Sequence, residues 1–303
     1  MIVADPAVLL EGSAKALLYA TLLVAIGASA VRWLLLRRVL AELGADRVSL
    51  VEESVARIAR VAASLALAAS GLRVWTHTVA VFGFHDAQSW DNLRLIALHS
   101  RWGQSWQMQA IAALVLTVAC AATVWRRRFW PVATLSTVGF TATIPLLGHA
   151  SGVAVRMIVH VLHILAAGAW LGTLAVVLLI RVAPAIPGTT EPPLTARRTR
   201  LLILRRFSPI ALPSAATVIG AGLAASWFYV GALANVWSTA YGRLLVLKAC
   251  LVAGISVCGY INWRRLRKLH EESAPSAWIL VLEATLAAAV VSVTGYLTEI
   301  AHP

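Results

Sequence analysis

The sequence predicts an all-α, polytopic membrane protein with eight transmembrane helices, and three observations carry that reading. Of its 303 residues, 60% are hydrophobic and only 13% charged, with a mean hydropathy of +0.80, outside the range of soluble globular domains. Apolar stretches of about 20 residues or more recur along the whole length, which is what an α-helix needs to cross roughly 30 Å of hydrocarbon. Lys and Arg gather in short clusters at every second connection, the pattern of cytoplasmic loops.

Hydropathy places the spans at about 8–36, 55–82, 104–125, 131–149, 154–181, 208–231, 242–264 and 277–300. The N-terminal stretch carries Asp5 and no basic residue before Lys15, so the first span is expected to persist as a helix and not to be a cleaved signal. Span 2 ends in SGLRVWTHTVAVFG, with Arg73 expected to snorkel to the interface and His77 near the outer boundary. The following loop, 83–103, holds His85, Asp86, Asp91 and His99 among tryptophans and reads as an interfacial cap.

The connections after spans 1, 3, 5 and 7 carry Arg37, Arg38 and Arg47; Arg126, Arg127 and Arg128; Arg197, Arg198, Arg200, Arg205 and Arg206; and Arg264, Arg265, Arg267 and Lys268. These loops are therefore assigned to the cytoplasm, and both termini to the periplasmic side. Segment 182–207, with its prolines and arginines, reads as a linker followed by a short interfacial helix on anionic lipid. Span 8 carries Glu283, which is expected to be buried between spans 7 and 8 and paired with Lys248 or an arginine of span 7.

Spans 3 and 7 share an aromatic–Gly start, an inner polar residue (Gln109 against Lys248) and a Trp–Arg–Arg exit, and spans 2 and 6 share SGLRVW and AGLAASW. The chain thus reads as one membrane domain built as a weak parallel four-plus-four repeat, with halves 1–150 and 151–303. The net charge of +13 sits at helix ends facing lipid head groups, which excludes nucleic acid as the partner. Cys120, Cys250 and Cys258 all lie inside apolar spans and read as small hydrophobes, with no disulfide or zinc spacing.

Chemistry concentrates in residues 148–172, GHASGVAVRMIVHVLHILAAGAWLG. Met157, His160 and His163 recur at a spacing of three, so they descend one helix face as a ladder of thioether and imidazole donors, with His149 before them and Trp170 two turns beyond. Intramembrane ionisable groups are costly and mark function, although a single histidine is also at home as a hydrogen-bonded packing residue. Seven of the eight histidines fall on the side assigned outside, and only His270 inside, which favours an outward-facing site. The candidate metal ligands are His149, His160, His163 and His77, with Met157, His85 and His99 as secondary donors. Lys248, Glu283, Trp170 and Arg243 are the candidate structural or transport groups.

The GHA at 148–150, HILAAGAWLG at 163–172, YGRLLVLKACLVAG at 241–254, INWRRL at 261–266 and LEA at 282–284 resemble the CopD family of bacterial inner-membrane copper resistance proteins. The resemblance runs from about residue 95 onward and is strongest over 200–300, the counterpart of the family's C-terminal domain. It implies a multi-pass inner-membrane protein of copper homeostasis that is not an enzyme and that moves copper with a periplasmic CopC-type binding protein. It carries the family's prominent histidines onto His149 and His163, whereas His160 enters through its place on the same helix. Beyond the lipid bilayer, a homodimer is admitted as a further partner. Only Met108 and Met157 follow the initiator, which counts against a thioether-lined Cu(I) path.

The alternative is a b-type haem protein, in which His77 or His149 opposes His163 across one iron and Gly168 and Gly172 leave room for the ring. A scaffold with no site of its own is the third reading, and the one-sided histidines count against it. No nucleotide-binding loop, Ser–His–Asp arrangement or acidic metal cluster is present in the sequence.

Overall fold

The computed structural model describes residues 5–148, 151–180, 194–268 and 277–300. Eight helices long and apolar enough to cross a membrane follow in order: α1 Pro6–Val39, α2 Ala45–Phe82, α3 Arg101–Trp125, α4 Arg127–Leu147, α5 Ala154–Leu179, α6 Leu202–Val230, α7 Ala240–Arg265 and α8 Trp278–Leu297. No strand occurs among the described residues. This is a multi-pass helical membrane protein, as hydropathy requires.

Two boundaries differ from expectation. The α2 helix starts at Ala45, ten residues before the expected span, because ADRVSLVEES continues the helix without proline or glycine although it is too polar to be scored as a span. At 38 residues it is about 57 Å long and projects well beyond the hydrocarbon. The expected interfacial helix before span 6 is not separate: one helix runs from Leu194 to Val230, through Pro209 and Pro213. The rest of the expected linker, 181–193, lies outside the described residues.

The bundle is centred on α1, which packs against α2, α4, α5 and α8. Lipid is as apolar as leucine, so helices associate in a membrane where small side chains let them approach. On α2 the buried face is Ala56, Ala59, Ala62, Ala63, Ala66 and Ala69, a stripe at helical spacing. Where α1 crosses α5, Gly27 meets Gly172, and a Cβ on either would run into the other helix's backbone. A Cβ on Gly168 would collide with Ile26. These glycines are consumed by helix packing and do not leave the space for a flat ring expected of them.

At the end holding Arg127, the buried carboxylate of Glu52 takes Arg32 at 2.7 Å and Arg127 at 3.5 Å, tying α1, α2 and the start of α4 together. Arg206 on α6 pairs with Glu42. At the opposite end, residues 83–100 form three short helical turns, Asp86–Gln88, Trp90–Arg94 and Leu95–His99, with Trp90 exposed. This is the region expected to cap the bundle.

Candidate functional site

Toward the Trp90 end, a cavity of about 620 Å³ lies between α1, α5, α6, α7 and α8, closed on one side by the end of α4 and by Arg73 of α2. His160 and His163 line it from α5, Lys248 from α7, and Lys15 and Tyr19 from α1. Its walls are otherwise mostly apolar, with Trp170 buried among them in the π-helical turn Gly168–Gly172.

The α5 helix begins after Gly152, whose φ of +88° reverses the chain in a conformation that favours glycine. From Ala154 the apolar run AVRMIVHVLHILAA has no proline and continues as helix, which sets His160 and His163 one turn apart. His163 Nδ1 lies 3.0 Å from the carbonyl oxygen of Val218 on α6. A carbonyl only accepts, so Nδ1 carries the hydrogen and Nε2 keeps its lone pair. One turn further along α6, Gly222 leaves room for the ring: a Cβ there would stand 3.2 Å from His163 Cε1. Val218 and Gly222 thus form a seat that fixes both tautomer and ring position, the usual partner arrangement of a ligating imidazole.

The other candidates divide. His160 lines the same cavity, half-buried, while Met157 is half-buried outside the lining. His77 does not meet His163, because α1 stands between α2 and α5. It faces α1 instead, with Nδ1 2.7 Å from Glu11 Oε1, and stacks on Trp102 at 4.1 Å between ring centres. The expected bis-histidine pair of His77 and His163 is therefore not formed. His85 and His99 are exposed on the 83–100 connection. His149, His270 and His302 lie outside the described residues. Among the described residues, no three His, Cys, Asp or Glu side chains converge as a metal site.

The intramembrane charges also depart from expectation. Arg73 does not snorkel: it is buried, donates from Nη1 to Gln109 Oε1 at 2.9 Å, and lies 5.7 Å over the Trp102 ring. Lys15, which the sequence reading passed over, pairs with Glu299 at 2.5 Å where α1 meets α8. Glu283 is buried between α7 and α8 as expected, but its partner is Asn262 Nδ2 at 3.2 Å, not Lys248. Asn262 and Lys248 are 262 − 248 = 14 residues apart on α7, about 21 Å along the axis, which puts Lys248 out of reach of that carboxylate. Lys248 opens into the cavity, and Arg243, near the start of α7, is exposed.

The seat residues Val218 and Gly222 were not legible beforehand, since a backbone carbonyl and an absent side chain leave no sequence signal. Lys15 and Arg73 had one: charges inside apolar windows.

Two family profiles match the chain in order: the one described as Copper resistance protein D-like, N-terminal domain, over residues 12–155, and the one described as Copper resistance protein D, over residues 201–297. Lys248, Val218 and Gly222 fall within the second match, whereas His160 and His163 lie between the two. A protein of Bacillus subtilis (strain 168) described as Copper transport protein CutJ is 25% identical over 232 residues, 72% of this chain and 41% of that protein. The chain therefore spans about two fifths of the relative's length. No solved structure matches.

Proposed function

The chain belongs to the copper resistance D family, and from that premise we propose that it moves copper across the membrane, with His160 and His163 as ligands in the cavity between α1 and α5–α8. The observation that carries the reading is the seat of His163: with Nδ1–H held by Val218 O at 3.0 Å, Nε2 is left as a metal-ready lone pair. Imidazole suits both Cu(I) and Cu(II), and His160 one turn away adds a second nitrogen from the same rigid helix. His149 belongs to the same proposal as a third ligand, and so does delivery of copper by a soluble CopC-type partner.

The test is metal and haem analysis of the full chain purified in mild detergent, with an optical spectrum. The expected result is copper without a Soret band, lost in His163→Ala and weakened in His160→Ala. Copper content unchanged in both variants would falsify the assignment, and a Soret band that vanishes with His163→Ala would replace it by haem ligation.

A further inference from the structure

A copper ion bound by neutral imidazoles brings its whole charge into this cavity, so the charges already on the walls decide what accompanies it. Among the described residues, three cationic side chains line the cavity: Lys15, Arg73 and Lys248. The first two stand together at the Trp90 end and are answered there. Lys15 is in contact with Glu299, and Arg73 shares the field of Glu299 and of Glu11, the partner of His77.

Lys248 is different. The carboxylate of the neighbouring helix, Glu283, is held about 21 Å along α7 beside Asn262, and no ion pair to Lys248 occurs among the described residues. Both imidazoles lie within the field of its ammonium group. A cavity of 620 Å³ taken as a sphere is only about 10 Å across. At that separation and an effective dielectric constant of about 20, one positive charge weakens the binding of another by a factor of about ten to twenty. Lys248 would thus oppose a bare copper cation at His160 and His163, while its ammonium hydrogens stand ready for an acceptor.

We infer that the site takes copper together with a small anion, which ligates the metal on the side away from the imidazoles and is held by the Lys248 ammonium group. The inference rests on the copper reading above. With Cu(I), the ion used in the test, it makes the substrate a neutral copper–anion unit, which suits a mostly apolar cavity better than an ion. A halide and a carboxylate share the required chemistry of a monovalent anion that binds both copper and an ammonium.

The test uses the full chain in mild detergent, loaded with Cu(I) under anaerobic conditions and desalted into buffers whose anion is chloride, bromide, acetate or the poorly coordinating methanesulfonate. Retained copper is measured, and X-ray absorption at the copper edge reports the neighbours of the metal. Retention about tenfold greater with a ligating anion than with methanesulfonate is expected, the weight of one charge-assisted contact. Bromide then places a heavy scatterer beside copper if the halide is the escort; retention restored by acetate alone assigns a carboxylate. Lys248→Met removes the anion dependence while leaving the nitrogen neighbours, and Lys248→Arg retains it.

Equal retention in all four buffers with only nitrogen neighbours overturns the anion and leaves the copper reading standing. Absence of copper in every buffer overturns both. Should Lys248→Met fail to fold, the wild-type anion series and Lys248→Arg still decide.

Discussion

His163 on α5 donates its Nδ1–H to the carbonyl oxygen of Val218 on α6, across 3.0 Å, and the absent side chain of Gly222 one turn on makes room for the ring. The contact ties two helices that are linked in sequence only through 181–193, outside the described residues. It also selects the tautomer whose free nitrogen can bind a metal. A test follows directly. In Gly222→Ala the added Cβ stands 3.2 Å from Cε1, so the ring must shift by a few tenths of an ångström. Copper affinity by chelator competition is expected to fall about tenfold, as for other partners that orient a ligand. Thermal stability should hold, because alanine is the better helix former by about 1 kcal/mol. Gly222→Leu should lose copper altogether, and a Leu variant with wild-type affinity removes His163 from the site.

The Lys15–Glu299 pair joins α1 to α8 with both side chains largely out of solvent, at 8% and 15% exposure. Glu299→Ala leaves the ammonium uncompensated and is expected to destabilise the chain by about 3–5 kcal/mol, whereas replacing both partners with Met should recover most of that loss. Unfolding in detergent reads the difference. A double variant as unstable as the single one sinks the account.

At the opposite end of α8, Glu283 accepts from Asn262 inside the α7–α8 contact. Glu283→Gln keeps an acceptor for that amide and should melt close to wild type. Glu283→Ala strands a buried donor and is expected to cost about 1–3 kcal/mol. Neither change should alter copper affinity, since this pair is about 21 Å along α7 from Lys248. A large loss of copper in Glu283→Gln would instead place the carboxylate on the path.

The alternation of arginine clusters sets the expected orientation. A periplasm-dependent reporter inserted in the 83–100 connection should be active, and the same reporter beside Arg127 inactive. The reverse pattern inverts the orientation and with it the side on which the cavity lies.

The number and order of the spans were legible because length and hydropathy are local properties: each apolar run must be a helix wherever it ends up, since lipid offers no partner for an open backbone. Even there, the amphipathic start of α2 was missed, because its helix is held by Glu52 meeting Arg32 and Arg127 and not by apolarity. His160 and His163 were legible as a pair on one face through their spacing alone.

What surrounds that pair was decided by which helices became neighbours, and nothing local encodes that. His77 was drawn to Glu11 and Trp102 and away from His163 because α1 occupies the centre of the bundle, wedged in by the Gly27–Gly172 crossing and the alanine stripe of α2. Lys248 and Glu283, both intramembrane charges and plausible partners on paper, were separated by their depths along α7, so each answers to a different environment. The sequence by itself determined that costly polar groups lie inside the membrane and on which helices. Only the tertiary structure decided which of them neutralise one another and which remain turned toward the cavity, because pairing depends on helix neighbours and depth, which periodicity does not specify.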